Sequence, residues 1–107
     1  MIIVTIETIA GHAITKTLGT VIGNTIRARH LGKDISAGLR SLVGGEITEY
    51  TGMMAESREQ SLQRMLDRAK ELNADAIVGV RFQTSMIMQG SAELLVYGTA
   101  VNLSQNK

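Results

Sequence analysis

The chain contains no cysteine, which excludes disulfides, thiolate zinc sites, cysteine nucleophiles and iron–sulfur clusters together. Proline and tryptophan are missing too, and the aromatics are only three: Tyr50, Phe82 and Tyr97. An excess of charge is also missing. Eleven basic residues against 10 acidic leave a net charge of +1, so global charge points neither to nucleic acid nor to a membrane surface. No apolar run approaches the roughly 18 residues of a spanning helix. The opening Met-Ile-Ile-Val-Thr-Ile-Glu has neither a basic n-region nor a cleavage site and does not read as a signal peptide, so a cytoplasmic setting is expected. What is present is a globular composition, 44% apolar in 107 residues. That suffices for a single domain over residues 1–107 with its own core, and no repeat or linker interrupts it.

Residues 2–7 are apolar and β-branched and predict a short strand. Ala10-Gly11-His12 predicts a turn. Residues 13–23 predict a half-buried strand with Ile14, Leu18 and Ile22 on its apolar face. Gly19 and Gly23 are costly inside a strand unless it bends or another backbone comes close, and a bend or bulge is expected there. Residues 24–33 are basic and irregular. Leu31, Ile35, Leu39 and Leu42 then form one helical stripe, which Gly44-Gly45 stops as a corner between helices. Glu46 opens a second, longer helix. Its buried side is Ile47, Tyr50, Met54, Leu62, Met65, Leu66, Ala69 and Leu72, and Asn73 caps its end. Gly52 is its weak point, and Ser57 with Gln60 has the form of a capping box able to restart it there, but one long helix, with or without a kink, is the expectation. Residues 75–88 predict a long strand, with Val78, Val80, Phe82, Met86 and Met88 sharing one face. Gln89-Gly90-Ser91 predicts a hairpin turn, and residues 92–103 the returning strand, followed by a frayed tail.

The order strand, strand, helix, helix, strand, strand predicts an α+β domain. Its antiparallel sheet carries a two-helix hairpin between the N-terminal and C-terminal strand pairs. Leu94 and Val96 face one way along the last strand, Leu95 and Tyr97 the other, so both faces are apolar. Helices on one side leave the other side wet. A second apolar face in so small a chain is best buried against another subunit, and a homo-oligomer is expected.

Four segments also carry a resemblance. Gly19-Thr20-Val21-Ile22-Gly23 has the form of a Gly-x-Val-x-Gly strand. Leu39-Arg40-Ser41-Leu42-Val43-Gly44-Gly45 ends in a double glycine, Asn73-Ala74-Asp75-Ala76-Ile77-Val78-Gly79-Val80 leads into a strand, and Gly98-Thr99-Ala100-Val101 closes the chain. In order and spacing these resemble the YbjQ/UPF0145 family, which also bears the label of a heavy-metal-binding domain. The resemblance implies an α+β fold, a homopentamer and binding of a metal. This chain has Asn73 where the family typically has Gly, and His30 where it usually has Asn.

The candidate chemistry is sparse. His30 and Asp34 stand at i, i+4, and imidazole with carboxylate makes a partial site for a divalent metal ion such as zinc or nickel, which neighbouring subunits would complete. The plainer alternative is a surface histidine beside an acid at a helix N-terminus. Arg27, Arg29, Lys33 and Arg40 form a basic cluster over residues 27–40 that suits an anion such as phosphate, or salt bridges between subunits. Nucleic acid is not expected there, because stacking platforms need aromatics and this segment has none. Met86 and Met88 suit copper(I) by their thioethers, but core packing beside Val80 and Phe82 is the expected role. Neither His12 nor His30 lies in a nucleophile motif, and Glu46 with Glu49 are better explained as first-turn acids than as an acid/base pair, so no enzymatic activity is expected. Two function classes follow: a small oligomeric protein binding a metal or small ligand at subunit interfaces, or an assembly module without a ligand.

Overall fold

The structure, a computed structural model, describes residues 1–28, 42–43, 46–88 and 90–104. In chain order the elements are β1 (Ile2–Ile3), β2 (Ile14–Ala28), β3 (Leu42–Val43), β4 (Glu46–Ile47), α1 (Thr48–Glu71), β5 (Ala76–Met88) and β6 (Ser91–Leu103). Four strands form one sheet in the order β1-β5-β6-β2, and α1 packs across β2 and β6. The α+β class holds, while two expected details do not. The sheet is mixed: β5 and β2 flank β6 antiparallel, but β1 lies parallel to β5, Ile2 opposite Ala76. There is no two-helix hairpin, for α1 is the single helix among the described residues. Leu42 pairs with Ile47 and Val43 with Glu46 in an antiparallel ladder. Gly44-Gly45, the expected corner between helices, lie outside the described residues. Residues 31–41 of the expected first helix lie outside the described residues.

The second helix forms as one piece. Gly52 and Ser57 are both interior to it, so the capping-box restart does not occur. Its fully buried stripe runs Ser57, Ser61, Met65, Ala69 at every fourth position, one face of a helix made of small residues and one flexible filler. Leu62 and Leu66 are only partly buried beside it, and Leu72 is exposed. The helix ends in a Schellman motif. Ala74 N–H bonds Ala69 O at 3.1 Å and Asn73 N–H bonds Lys70 O at 3.0 Å, with Asn73 at φ 60°. Glycine adopts that conformation at least cost, and asparagine is the other residue that takes it at a helix end. Asp75 then ties the start of β5 to the end of β6, its Oδ2 accepting from Leu103 N–H at 2.9 Å and Asn102 Nδ2 at 3.3 Å.

Beyond a register shift at Ile14/Lys16, three bulges decide which face the strand residues take. At Thr17/Gly19 the register of β2 slips, with Gly19 at φ 129°. Thereafter Val21, Gly23 and Thr25 are buried under α1, while Ile22 and Ile26 point away; of the expected apolar face, Leu18 packs against the core under the helix, whereas Ile14 and Ile22 are exposed. The expected irregularity is present at Gly19, whereas Gly23 takes the other route, a close backbone approach. A second bulge spans Val78/Arg81 at Gly79, φ 63°. It sends Val78 to one face and Val80 to the other, so they do not share a side: Val80 joins Val21, Met65, Ile77, Val96 and Ala100 in the core under the helix. Val78 instead joins Ile9, Ala76, Val101 and Leu103 in a small second core that the N-terminal segment covers on the opposite face. The third bulge falls between Met86 and Met88, which pair with Ala92 and Ser91. Consecutive partners lie on opposite faces, so the two thioethers part as well.

Candidate functional site

The helix is shorter than the sheet it covers, and what it leaves bare is the first candidate surface. On the face away from α1, Ile22 lies opposite Tyr97, Asn24 opposite Leu95 and Ile26 opposite Glu93. Ile22 is 41% and Ile26 59% exposed, with Leu95 and Tyr97 half-buried between the strands. The second core reaches only one end of this face. The last half of β5 is bare in addition. Phe82 shares the helix-side face with Val96, yet is 47% exposed, because α1 runs over β2 and β6 and leaves that part of β5 uncovered. Met86 at 77% and Met88 at 65% are exposed. Core packing, the role expected of them, is therefore not their role, and their separation by the bulge also removes them as a paired thioether site within one chain.

A groove of about 820 Å³ is the second candidate. Residues 5–8 form one wall and residues 80–82 the other. The N-terminal segment first runs bonded to β5, Val4 N–H to Ile77 O at 3.0 Å, Val80 N–H to Val4 O at 3.1 Å and Gly79 N–H to Ile6 O at 2.9 Å. Beyond Ile6 it leaves the strand for the turn at Ile9 and His12, and the groove opens where the two diverge. Arg81 straddles that opening. Its Nη1 donates to Thr5 O at 2.8 Å and to Val80 O at 2.9 Å, which fixes the guanidinium between the two walls. Glu7 and Thr8 line the same space, and Ile6 and Phe82 supply its apolar surface. Sequence reasoning placed Arg81 merely on a polar face. No local signal shows that the first residues bond to β5 and then depart from it.

A buried polar seam joins helix to sheet. Ser61 Oγ donates to Leu94 O at 3.2 Å, a carbonyl that can only accept. Ser61 Oγ itself lies 3.2 Å from Thr25 Oγ1, which also donates to Ser57 O at 3.5 Å. Thr25, Ser57 and Ser61 are all fully buried, and among the described residues no buried side-chain polar atom lacks a partner. This seam is structural: every hydroxyl is satisfied from within.

Of the expected site residues, His30, Asp34, Arg29, Lys33 and Arg40 lie outside the described residues. Arg27 is placed through its backbone, paired with Ala92 near the end of β2. His12 approaches the backbone of residue 104: its Nδ1 lies 3.3 Å from Ser104 O, and because a carbonyl only accepts, Nδ1 carries the proton. The same residue is held further by Ser104 N–H to Ala13 O at 2.8 Å and Ala13 N–H to Ser104 Oγ at 3.1 Å, so the tail is ordered at its first residue rather than frayed. Among the described residues no three His, Cys, Asp or Glu side chains come together to hold a metal. With no thiolate in the chain and His12 isolated, the described residues do not fit a thiophilic heavy metal. No helix among the described residues is long and apolar enough to cross a membrane.

Comparisons with known proteins complete the picture. The family model described as "Putative heavy-metal-binding" (YbjQ) matches residues 1–104. A UPF0145 protein of Methanosarcina acetivorans is 60% identical over 96% of this chain and 97% of its own. One from Archaeoglobus fulgidus is 56% identical over 96% of this chain and 95% of its own. A third, from Thermus thermophilus, is 52% identical, covering 96% and 90% respectively. Among solved structures, a protein of unknown function from Pediococcus pentosaceus superposes with a TM-score of 0.69 at 19% identity, over 97% of this chain and 98% of its own, which is a likeness of fold. The match over nearly the whole chain, together with these relatives, makes this protein a member of the UPF0145 (YbjQ) family.

Proposed function

We propose that this chain is the subunit of a cytoplasmic homo-oligomer that binds a small ligand close to its subunit contacts. The observation that carries the reading is the bare apolar face formed by Ile22 and Ile26 beside Leu95 and Tyr97, on the side of the sheet away from α1. Burying such side chains stabilises association by roughly 25 cal/mol for each Å² removed from water. The last half of β5 also lacks the devices that keep a strand edge solitary, since residues 81–88 contain no Lys and no Pro and a single charge, Arg81. Five is the number of subunits we propose, as the resemblance read from the sequence implies. Light scattering on the untagged protein tests the reading: a mass several times that of one chain bears it out, and a folded monomer at micromolar concentration overturns it.

A metal is the second reading, favoured by the description attached to the family. It rests on His30 and Asp34 and on their repetition around an oligomer, because the described residues make no such site. Titration calorimetry with zinc, nickel and copper on protein and on His30→Ala tests it. Affinity lost in the variant supports the metal site. Affinity undiminished rules those ligands out, and stabilisation by phosphate without metal binding favours the basic cluster of Arg27, Arg29 and Lys33.

A further inference from the structure

The groove between residues 5–8 and 80–82 has the chemistry of a ligand site. Its volume, about 820 Å³, lies within the range of small-molecule pockets. Arg81 is held there in advance. The bonds from Nη1 to Thr5 O and Val80 O cost the side chain its freedom before any ligand arrives, and no described residue engages Nε or Nη2. Those N–H groups form the fork that receives a carboxylate in a bidentate manner.

Arg81 alone would take any anion. Glu7 narrows the choice, since it lines the same groove and brings its charge to zero overall. A phosphate dianion is repelled by that carboxylate, whereas an ammonium group is attracted by it. Ile6, 61% exposed, and Phe82, 47% exposed, offer an apolar wall to a third part of the ligand. Thr5 and Thr8 are the remaining polar lining.

We propose that this groove binds a small zwitterion of the amino-acid class, with its carboxylate on Arg81, its ammonium on Glu7 and an apolar side chain against Phe82 and Ile6. This gives the proposed function a site and a substrate class, and rests on its small-ligand half; one chain supplies the whole groove, so subunit association is not required.

The test is amide NMR and calorimetry with four probes: L-phenylalanine, phenethylamine, 3-phenylpropionate and inorganic phosphate. The expected result is saturable shifts at residues 5–8 and 80–82 with L-phenylalanine, and affinity lower by about tenfold or more for the amine and the acid that each lack one charge. Glu7→Gln and Arg81→Lys should each weaken the zwitterion about tenfold with the circular dichroism unchanged. Glu7→Gln keeps the test decisive should Arg81→Lys loosen the N-terminal segment. No shifts in the groove, equal binding of phosphate, or full affinity in Glu7→Gln would overturn the proposal. Light scattering on the same samples separates the two readings. An oligomer that ignores L-phenylalanine defeats the groove alone, and a monomer that binds it defeats association alone.

Discussion

Gly23 of β2 and Ser61 of α1 meet backbone to backbone. A Cβ on Gly23 would run into the Ser61 carbonyl oxygen and would lie 2.5 Å from Met65 N. The helix sits on the sheet at the distance this one missing side chain allows, and the Ser61 hydroxyl reaches Leu94 O because of it. Gly23→Ala is therefore expected to lower stability by about 1–3 kcal/mol, since backbone must move and no side-chain rotamer can relieve the contact. Gly52, inside the same helix, has nothing within 4 Å of an added Cβ. Gly52→Ala should raise stability by up to about 1 kcal/mol. Urea unfolding of the two variants checks both signs at once.

The seam beneath that contact gives a coupling. Thr25→Val removes the contacts of its hydroxyl with Ser61 Oγ and Ser57 O, and Ser61→Ala removes the contact with Thr25 Oγ1 and the donor to the Leu94 carbonyl. Each change should cost about 1 kcal/mol or more, while the double variant costs less than their sum because the hydroxyls fail together. Additive losses in a double-mutant cycle would show that the seam is not a unit.

Asn73 holds a left-handed conformation, φ 60°, at the helix end. Asn73→Gly should leave stability unchanged or raise it by a few tenths of a kcal/mol, and Asn73→Val should lower it by about 1–2 kcal/mol through steric strain at positive φ. Thermal unfolding monitored by circular dichroism reads both.

Association through the bare face should be apolar in character. Ile22→Asp with Ile26→Asp, both exposed positions, is expected to bring the mass in light scattering down to that of one chain while the far-ultraviolet spectrum stays native. In the parent protein, raising salt should leave the mass unchanged, because screening weakens ionic contacts and not the burial of Ile22 and Ile26. A mass that falls with salt would instead place the contact on charged residues such as those of the basic cluster.

Much of the architecture was legible. Val and Ile runs bounded by Gly gave the β5–β6 hairpin almost to the residue, and the continuous stripe through Met65 and Ala69 gave one long helix despite Gly52. The faces were harder. A strand's alternation names its buried side only while the count stays even, and the bulges at Thr17/Gly19, Val78/Arg81 and Met86/Met88 each reset it. Leu42 and Val43 satisfied a helical period with too few residues to distinguish a short ladder from a last turn. Pairing direction was not legible at all: nothing local to Ile2 and Ile3 says that they lie beside Ala76 and Ile77, or that they run the same way. The groove depends on that long-range pairing, so Arg81 and Glu7 carried no signal in the sequence, while His30 and Asp34 did so only through their spacing.

That pairing also sets an order of events during synthesis. Ile2 and Ile3 leave the ribosome well before their partners Ala76 and Ile77, which emerge only after the helix has been made. The β5–β6 hairpin closes over a short turn and β2 docks on β6 next, and that docking brings β1 beside β5 through residues 4–13, so β1 is the last strand to find its place. The strand that begins the chain thus completes the fold as a latch. Pulse-labelled hydrogen exchange should show Val4 and Val80 amides gaining protection later than those of Val96 and Ala100.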